Sequence, residues 1–535
     1  MTYPAAPRLD HIDDYFGTRV PDPYRWLEDV DAPQTAAWIR EQNGLTESYL
    51  SQVREREAIR ARLTALWDYE RWTVPEKAGD RYAYFRNTGL QNQAVLYVTR
   101  DLAEPGRVLL DPNTFSPDGT VALSGSAFSE DGSLLAYAIS SSGSDWQEWH
   151  VRDVATGADR ADIVRWAKFS SAAWRRDGSG FYYSRYDEPA ADTKFKDINY
   201  FHKLYFHRLG TPQSADVLVY ERPDHKDWNI NGTTTEDGAY LVIDTSRGTD
   251  PENRVFVKVI ADGRVVDLLP DADARYNYVA NDGETFYFVT TKDAPCGRVV
   301  SVDLQTRAVR EIIAQTGDAL DGAAFFGERI VAWYLRDALA HVVVYDLTGA
   351  VCDQVQLPGL GSVAGFTGKR SAHETFFAYT SYTAPSSIYR YDVEEKAVRC
   401  VFAPRLPFDP SAFESRQEFY QSKDGTRIPV MISAKRGTPR DGSAPTLLYG
   451  YGGFDVSLTP AFSSAVIVWL EMGGVYAVAN LRGGGEYGET WHEAGVREKR
   501  QNVFDDFVAA AEFLIAQGWA SREKLAIHGG SNGGL

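Results

Sequence analysis

Cysteine is scarce in this 535-residue sequence: Cys296, Cys352 and Cys400 are odd in number and show no CxxC spacing, which excludes a disulfide framework and a cysteine-based zinc site. Long apolar runs are missing as well. No stretch reaches the roughly 18 apolar residues of a membrane span. Met1 to Val20, with Arg8, Asp10, Asp13 and Asp14, has neither an apolar core nor a small-residue cleavage site for secretion. Basic clusters are also absent. With 56 Lys and Arg against 74 Asp and Glu the formal net charge is −18, which repels phosphate backbones and anionic lipid, so neither nucleic acid nor membrane is an expected partner. A reducing, cytoplasmic compartment and a monomer without cofactor are the expectations.

What is present is an ordinary globular composition, 44% hydrophobic and 24% charged, with 13% aromatic residues leaning towards β-structure. The length calls for more than one core. Residues 1–70 read as a helical segment after an extended start: Pro21-Asp22-Pro23 marks a turn, and Ile59, Leu63, Leu66 and Trp67 recur at helical spacing. From 71 to about 405 the texture is short alternating apolar runs between polar turns. Asp131-Gly132 leads into Leu134 to Tyr137, Asp177-Gly178 into Phe181 to Tyr183, Asp237-Gly238 into Tyr240 to Ile243, and Asp282-Gly283 into Phe286 to Val289. These copies stand about 45 to 60 residues apart, the spacing of four-stranded propeller blades. Degenerate copies at Gly79-Asp80, Gly327-Glu328 and His373-Glu374 bring the expectation to a seven-bladed β-propeller; common hairpin turns in another β architecture are the alternative.

From 406 to 535 strands alternate with helical segments, the pattern of a mostly parallel sheet. Thr446 to Tyr449, Val475 to Ala479 and Lys524 to His528 read as strands. Phe504, Phe507, Val508, Ala511, Leu514 and Ile515 trace one face of a helix ending near Gly518. Directly after the last strand, Gly529-Gly530-Ser531-Asn532-Gly533 fits G-x-S-x-G, a nucleophile elbow that lifts a serine hydroxyl above the sheet on a strained turn. The pattern alone is common by chance; its place after a strand gives it weight. Two further Gly-rich loops, Tyr449 to Phe454 and Arg482 to Gly488, leave the same sheet edge, where α/β folds bind ligands. Neither carries the lysine of a phosphate-binding loop.

Together with Tyr487-Gly488-Glu489-Thr490-Trp491-His492, Asp22 to Asp29, Asn87 to Gln93 and Ser142 to Trp146, these segments closely resemble the prolyl oligopeptidase family of serine peptidases, over the chain from about residue 10 to its last residue. Asn532 after the serine is similar to prolyl oligopeptidases themselves, where the dipeptidyl peptidase, acylaminoacyl peptidase and oligopeptidase B branches place Tyr, His and Ala. The resemblance implies an α/β-hydrolase fold, incomplete here, with the propeller inserted near its N-terminus, and cleavage after proline in short peptides. It implies Ser531 as nucleophile, the Tyr451 hydroxyl and Asn532 N–H as oxyanion donors, and Phe454 in the proline pocket. Phe169, in Lys168-Phe169-Ser170, faces that pocket from the propeller in this reading.

The sequence departs from the family in one respect. Family members order the triad Ser, Asp, His, whereas all nine histidines here precede Ser531. His492 and His528 are poor substitutes, His528 because a side chain within the strand leading to the elbow is expected to pack. Asp505-Asp506 reads as a pair capping a helix N-terminus. The expectation is a peptidase sequence cut just after its nucleophile and inactive as written, the alternative being a non-catalytic propeller protein that binds peptides or partners.

Overall fold

The computed structural model describes residues 2–189 and 199–535. Its chain divides into two compact units, Met1–Leu66 and Trp67–Leu535. The first unit opens on a hairpin, Ile12–Tyr15 against Thr18–Pro21. Phe16 and Gly17 at its turn both take positive φ, as the tight two-residue turn between right-twisted strands requires. Arg25 pairs with Asp13 of the hairpin and, at 3.0 Å, with Glu28. The helices Pro33–Leu50 and Arg56–Trp67 follow. Pro33 sits at the start of its helix, where a missing N–H costs nothing.

In the second unit, the described residues between 71 and 402 form six antiparallel sheets. One has five strands, between Arg71 and Leu110; one has eight, from Val121–Phe128 to Val217–Tyr220; and four have four strands each. The turns explain the repeat. Asp131 Oδ1 accepts from Ser133 N at 3.0 Å, Asp177 Oδ1 from Ser179 N at 3.0 Å, and Asp237 Oδ1 from Ala239 N at 3.0 Å. Each carboxylate thus closes the turn in which the next glycine takes positive φ. The strand that follows Asp237-Gly238 is buried on both faces: Tyr240 and Val242 pack on Phe286 and Phe288 of one neighbouring sheet, and Leu241 and Ile243 pack with Tyr182, Leu204 and Phe206 of the other. Such burial contributes about 1.5–3 kcal/mol per large side chain.

Seven separate blades are not what forms. Five sheets stand separately, and the eight-stranded one carries two copies of the repeat, because Ala167 at the end of Asp159–Ala167 pairs with Arg185 at the end of Gly180–Arg185. That one pairing runs two four-stranded meanders into a single sheet. The first and last sheets meet through side chains. Trp72 stacks on Phe402 with centroids 4.8 Å apart, and the Tyr82 hydroxyl donates to Glu374 Oε1 at 2.6 Å. Neither sheet takes a strand from the other.

The remaining sheet has five strands in the order Phe413–Gln421, Arg427–Lys435, Val475–Ala479, Thr446–Tyr449, Leu525–His528. The first two pairings are antiparallel and the last two parallel. Helices Ser464–Glu471 and Gln501–Ala516 make the crossovers, as parallel strands demand. The second helix buries Val503, Asp506, Ala510 and Leu514, while Phe504 and Val508 are exposed. Its inner face is therefore rotated from the apolar stripe read in the sequence, because a carboxylate occupies one core position. His528 also departs from expectation: Leu525–His528 is an edge strand, and its imidazole is exposed, edge-on to Tyr449 at 5.4 Å.

Candidate active site

Ser531 follows the edge strand directly and has φ +51, a left-handed conformation that costs a non-glycine residue about 1 kcal/mol or more and persists only where neighbours enforce it. The flanking glycines supply that enforcement. A Cβ on Gly529 would lie 1.9 Å from Gly533 O, and one on Gly533 would lie 2.6 Å from Gly450 O, whereas one on Gly530 would meet nothing within 4 Å. The two glycines of G-x-S-x-G are thus sterically required and the third, between them, is not.

The Tyr451 loop lies against this turn. Asn532 Nδ2 donates to Tyr451 O at 2.8 Å, and Arg500 donates from Nη1 to Gly452 O at 2.7 Å and from Nη2 to Asn532 Oδ1 at 2.8 Å. Tyr451 is half-buried. Phe454, 62% exposed, and Asp455 after it both take positive φ. Arg275, from the propeller region, pairs with Asp455 at 3.2 Å. Phe169 belongs to the propeller region and is half exposed. It lines an open cavity of about 510 Å³ with Ser144, Asp145, Ser170 and Asn231, all propeller residues.

The third loop is held from beneath by a buried ion pair. Arg482, 5% exposed, meets Asp506, fully buried, with Nη2–Oδ1 at 2.6 Å and Nε–Oδ2 at 3.0 Å. Ser422 Oγ donates to Asp506 Oδ1 at 2.5 Å, so the carboxylate has further hydrogen bonds to offset its desolvation. Asp506 lies in the second turn of its helix and is a core anchor for this loop; the N-terminal capping read from the sequence is corrected accordingly. Asp505 stays near the surface, accepting from Gln501 at 2.9 Å. Arg482 also reaches Asp424, and its guanidinium holds that carboxyl down at about 2. Glu486, 1% exposed, accepts from Leu458 N at 2.8 Å and Asn480 Nδ2 at 3.2 Å through Oε1. Its Oε2 is buried without a partner among the described residues. Burial pushes this carboxyl up to about 7, with Asp455 adding to the shift.

The two histidines nearest in sequence to this site are otherwise engaged. His492 Nδ1 stands 2.8 Å from Gly483 O and 3.0 Å from Asp455 N, and His528 lies on the exposed edge. Among the described residues no hydrogen bond joins the Ser531 hydroxyl to an imidazole. Sequence reasoning missed Arg500 and Glu486, since neither belongs to a pattern of its own; only their neighbours in space reveal them.

The Ser531 turn and the Tyr451 loop thus meet at one edge of the five-stranded sheet. Comparison makes the placement narrower. Residues 4–404 match the family model described as the prolyl oligopeptidase N-terminal β-propeller domain, and residues 460–535 match that of the prolyl oligopeptidase family. The chain is similar to the prolyl endopeptidase of Elizabethkingia meningoseptica, 40% identical over 544 residues that take in 100% of this chain and 76% of that protein. It is also similar to prolyl oligopeptidase A of Amanita bisporigera, at 35% over 578 residues, 100% of this chain and 76% of the other. Among solved structures, a prolyl endopeptidase superposes with TM-score 0.93 at 37% identity, covering 100% of this chain and 79% of that one. Prolyl oligopeptidase B of Galerina marginata, bound to a 25mer macrocyclization substrate, does so with TM-score 0.92 at 32% identity, covering 99% and 79%. The chain belongs to the prolyl oligopeptidase family.

Proposed function

We propose that this protein is a serine-type prolyl peptidase that hydrolyses the bond on the carboxyl side of proline in short peptides. The single observation that carries the reading is the left-handed Ser531 between two glycines that admit no side chain, a geometry whose cost is explained by a hydroxyl that must stand clear of the sheet. In this reading Ser531 attacks the carbonyl carbon. The Tyr451 hydroxyl and Asn532 N–H donate to the oxygen as it becomes charged, when such donors stabilise it most. Phe454 offers an apolar face to the proline ring, and Phe169 contacts the peptide from the propeller. The relatives' names support the specificity, since prolyl endopeptidases are what this chain matches along its whole length.

The sheet of Phe413–Gln421 to Leu525–His528 is read as part of an α/β-hydrolase fold, with segment boundaries at 1–70, 71–405 and 406–535. A hydroxyl without a base is weakly nucleophilic at neutral pH, so the activity belongs to a chain in which an imidazole reaches Ser531. The 535 residues assayed alone are proposed to be inactive. The test is hydrolysis of a prolyl anilide by the protein purified as its source organism makes it. Turnover abolished by Ser531→Ala is expected, and turnover that survives this substitution, or that prefers alanine to proline before the scissile bond, overturns the proposal.

A further inference from the structure

The elbow and the Tyr451 loop are joined by a clamp that the sheet does not provide. The Asn532 amide uses both of its ends: Nδ2 donates to Tyr451 O at 2.8 Å and Oδ1 accepts from Arg500 Nη2 at 2.8 Å. The other arm of the same guanidinium donates to Gly452 O at 2.7 Å. Two successive carbonyls of the loop are thus tied to the residue after the nucleophile. There is no slack between them, for a Cβ on Gly453 would lie 2.5 Å from Asn532 Nδ2. An amide side chain donates from one end and accepts at the other, which gives asparagine a physical reason at this position.

Arg500 is held between the 3-10 turn Arg497–Lys499 and the helix it precedes. Its N–H donates to Arg497 O of the turn at 3.0 Å, and its guanidinium lies 5.8 Å from the ring centre of Phe504 in the helix. Among the described residues it has no carboxylate within ion-pair distance. The planar fork is spent on a carbonyl and an amide oxygen, where geometry and not charge neutralisation is what it supplies.

We propose that Arg500 is a positioning residue for the reaction: by locking the Asn532 side chain and the Gly452 carbonyl into one unit, it keeps the Tyr451 hydroxyl and the Asn532 N–H aimed at the same oxygen. This rests on the reading of those two groups as oxyanion donors. Arg500→Lys keeps the charge but offers one ammonium where two divergent donors are needed. Because misplacement by about 1 Å costs on the order of 10²-fold, kcat for a prolyl anilide should fall about 10- to 100-fold, with KM within about twofold. In a Tyr451→Phe background the same change should cost clearly less, since one of the two donors it aims is already gone and only the Asn532 N–H is left to misalign. Equal losses in both backgrounds, or an effect on KM alone, overturn the proposal.

A second measurement needs no turnover. Hydrogen–deuterium exchange on the 535-residue chain should show Arg500→Lys raising uptake in 450–454 and 529–535 together, with the Arg427–Lys435 strand unchanged. If uptake in either loop stays at the wild-type level, the clamp is refuted. Should the protein purified as its source organism makes it show no Ser531-dependent turnover, the proposed function fails, while the exchange result still decides the clamp.

Discussion

Replacing Glu486 by glutamine should make the protein more stable at neutral pH and leave it unchanged in acid. The carboxyl is buried, one oxygen accepts two hydrogen bonds, and the other has no partner among the described residues. Its proton is therefore bound more tightly in the folded state, from the usual 4.5 up to about 7, mainly because burial disfavours the charge. Between those values the native state holds more protons than the unfolded chain, so stability falls as pH rises. The penalty is nil below about pH 4.5, grows by about 1.4 kcal/mol per pH unit, and levels off near 3 kcal/mol above pH 7. Glutamine keeps the acceptor oxygen and cannot ionise. Urea unfolding of wild type and Glu486→Gln at pH 5, 7 and 9 should give curves that diverge by about 3 kcal/mol between the extremes. Parallel dependence of the two proteins on pH would refute the argument, since other raised carboxyls, such as those of Asp321 and Glu489, are common to both.

Further outcomes concern the site and its support. In the active enzyme Tyr451→Phe should lower kcat/KM by ~10²–10³ at unchanged melting temperature, as loss of one oxyanion donor does. Phe454→Ala should instead raise KM about tenfold or more for proline substrates, from lost ring contact, with kcat nearly constant in steady-state kinetics. Asp506→Asn should destabilise by about 3 kcal/mol in urea unfolding, because it takes the buried carboxylate from Arg482 and leaves Asp424 as its remaining anion; adding Arg482→Met should recover part of that loss.

Much of the architecture was legible because it rests on local chemistry. Asp131-Gly132 and its copies announce their turns, since a carboxylate accepting from the amide two residues on is a sequence-local bond. The elbow was legible for the same reason: two glycines and a serine after a strand suffice. What could not be read depends on partners far apart in the chain. The pairing of Ala167 with Arg185 merges two meanders, and no turn signal encodes it. Asp506 has the sequence context of a cap beside Asp505, but its partner is Arg482, 24 residues away in the chain. Apolar periodicity misplaced the face of Gln501–Ala516 because it takes no account of a charged residue in the core. Arg500 acts through a contact 32 residues away, and Glu486, although inside the Arg482 to Gly488 loop, through one 28 residues away, which local sequence does not encode.

The side-chain seam between the first and last propeller sheets bears on how this part of the protein is made. Every sheet there is assembled from consecutive strands, so no early strand waits for a late one to complete its ladder. Each can form as soon as its own segment has been synthesised, which keeps sequence separation short for most pairings and shortens the time that edges stay open to aggregation. Ring closure is left to Trp72 on Phe402 and Tyr82 on Glu374, contacts that span the whole propeller sequence and that come into play only after every sheet they join already exists.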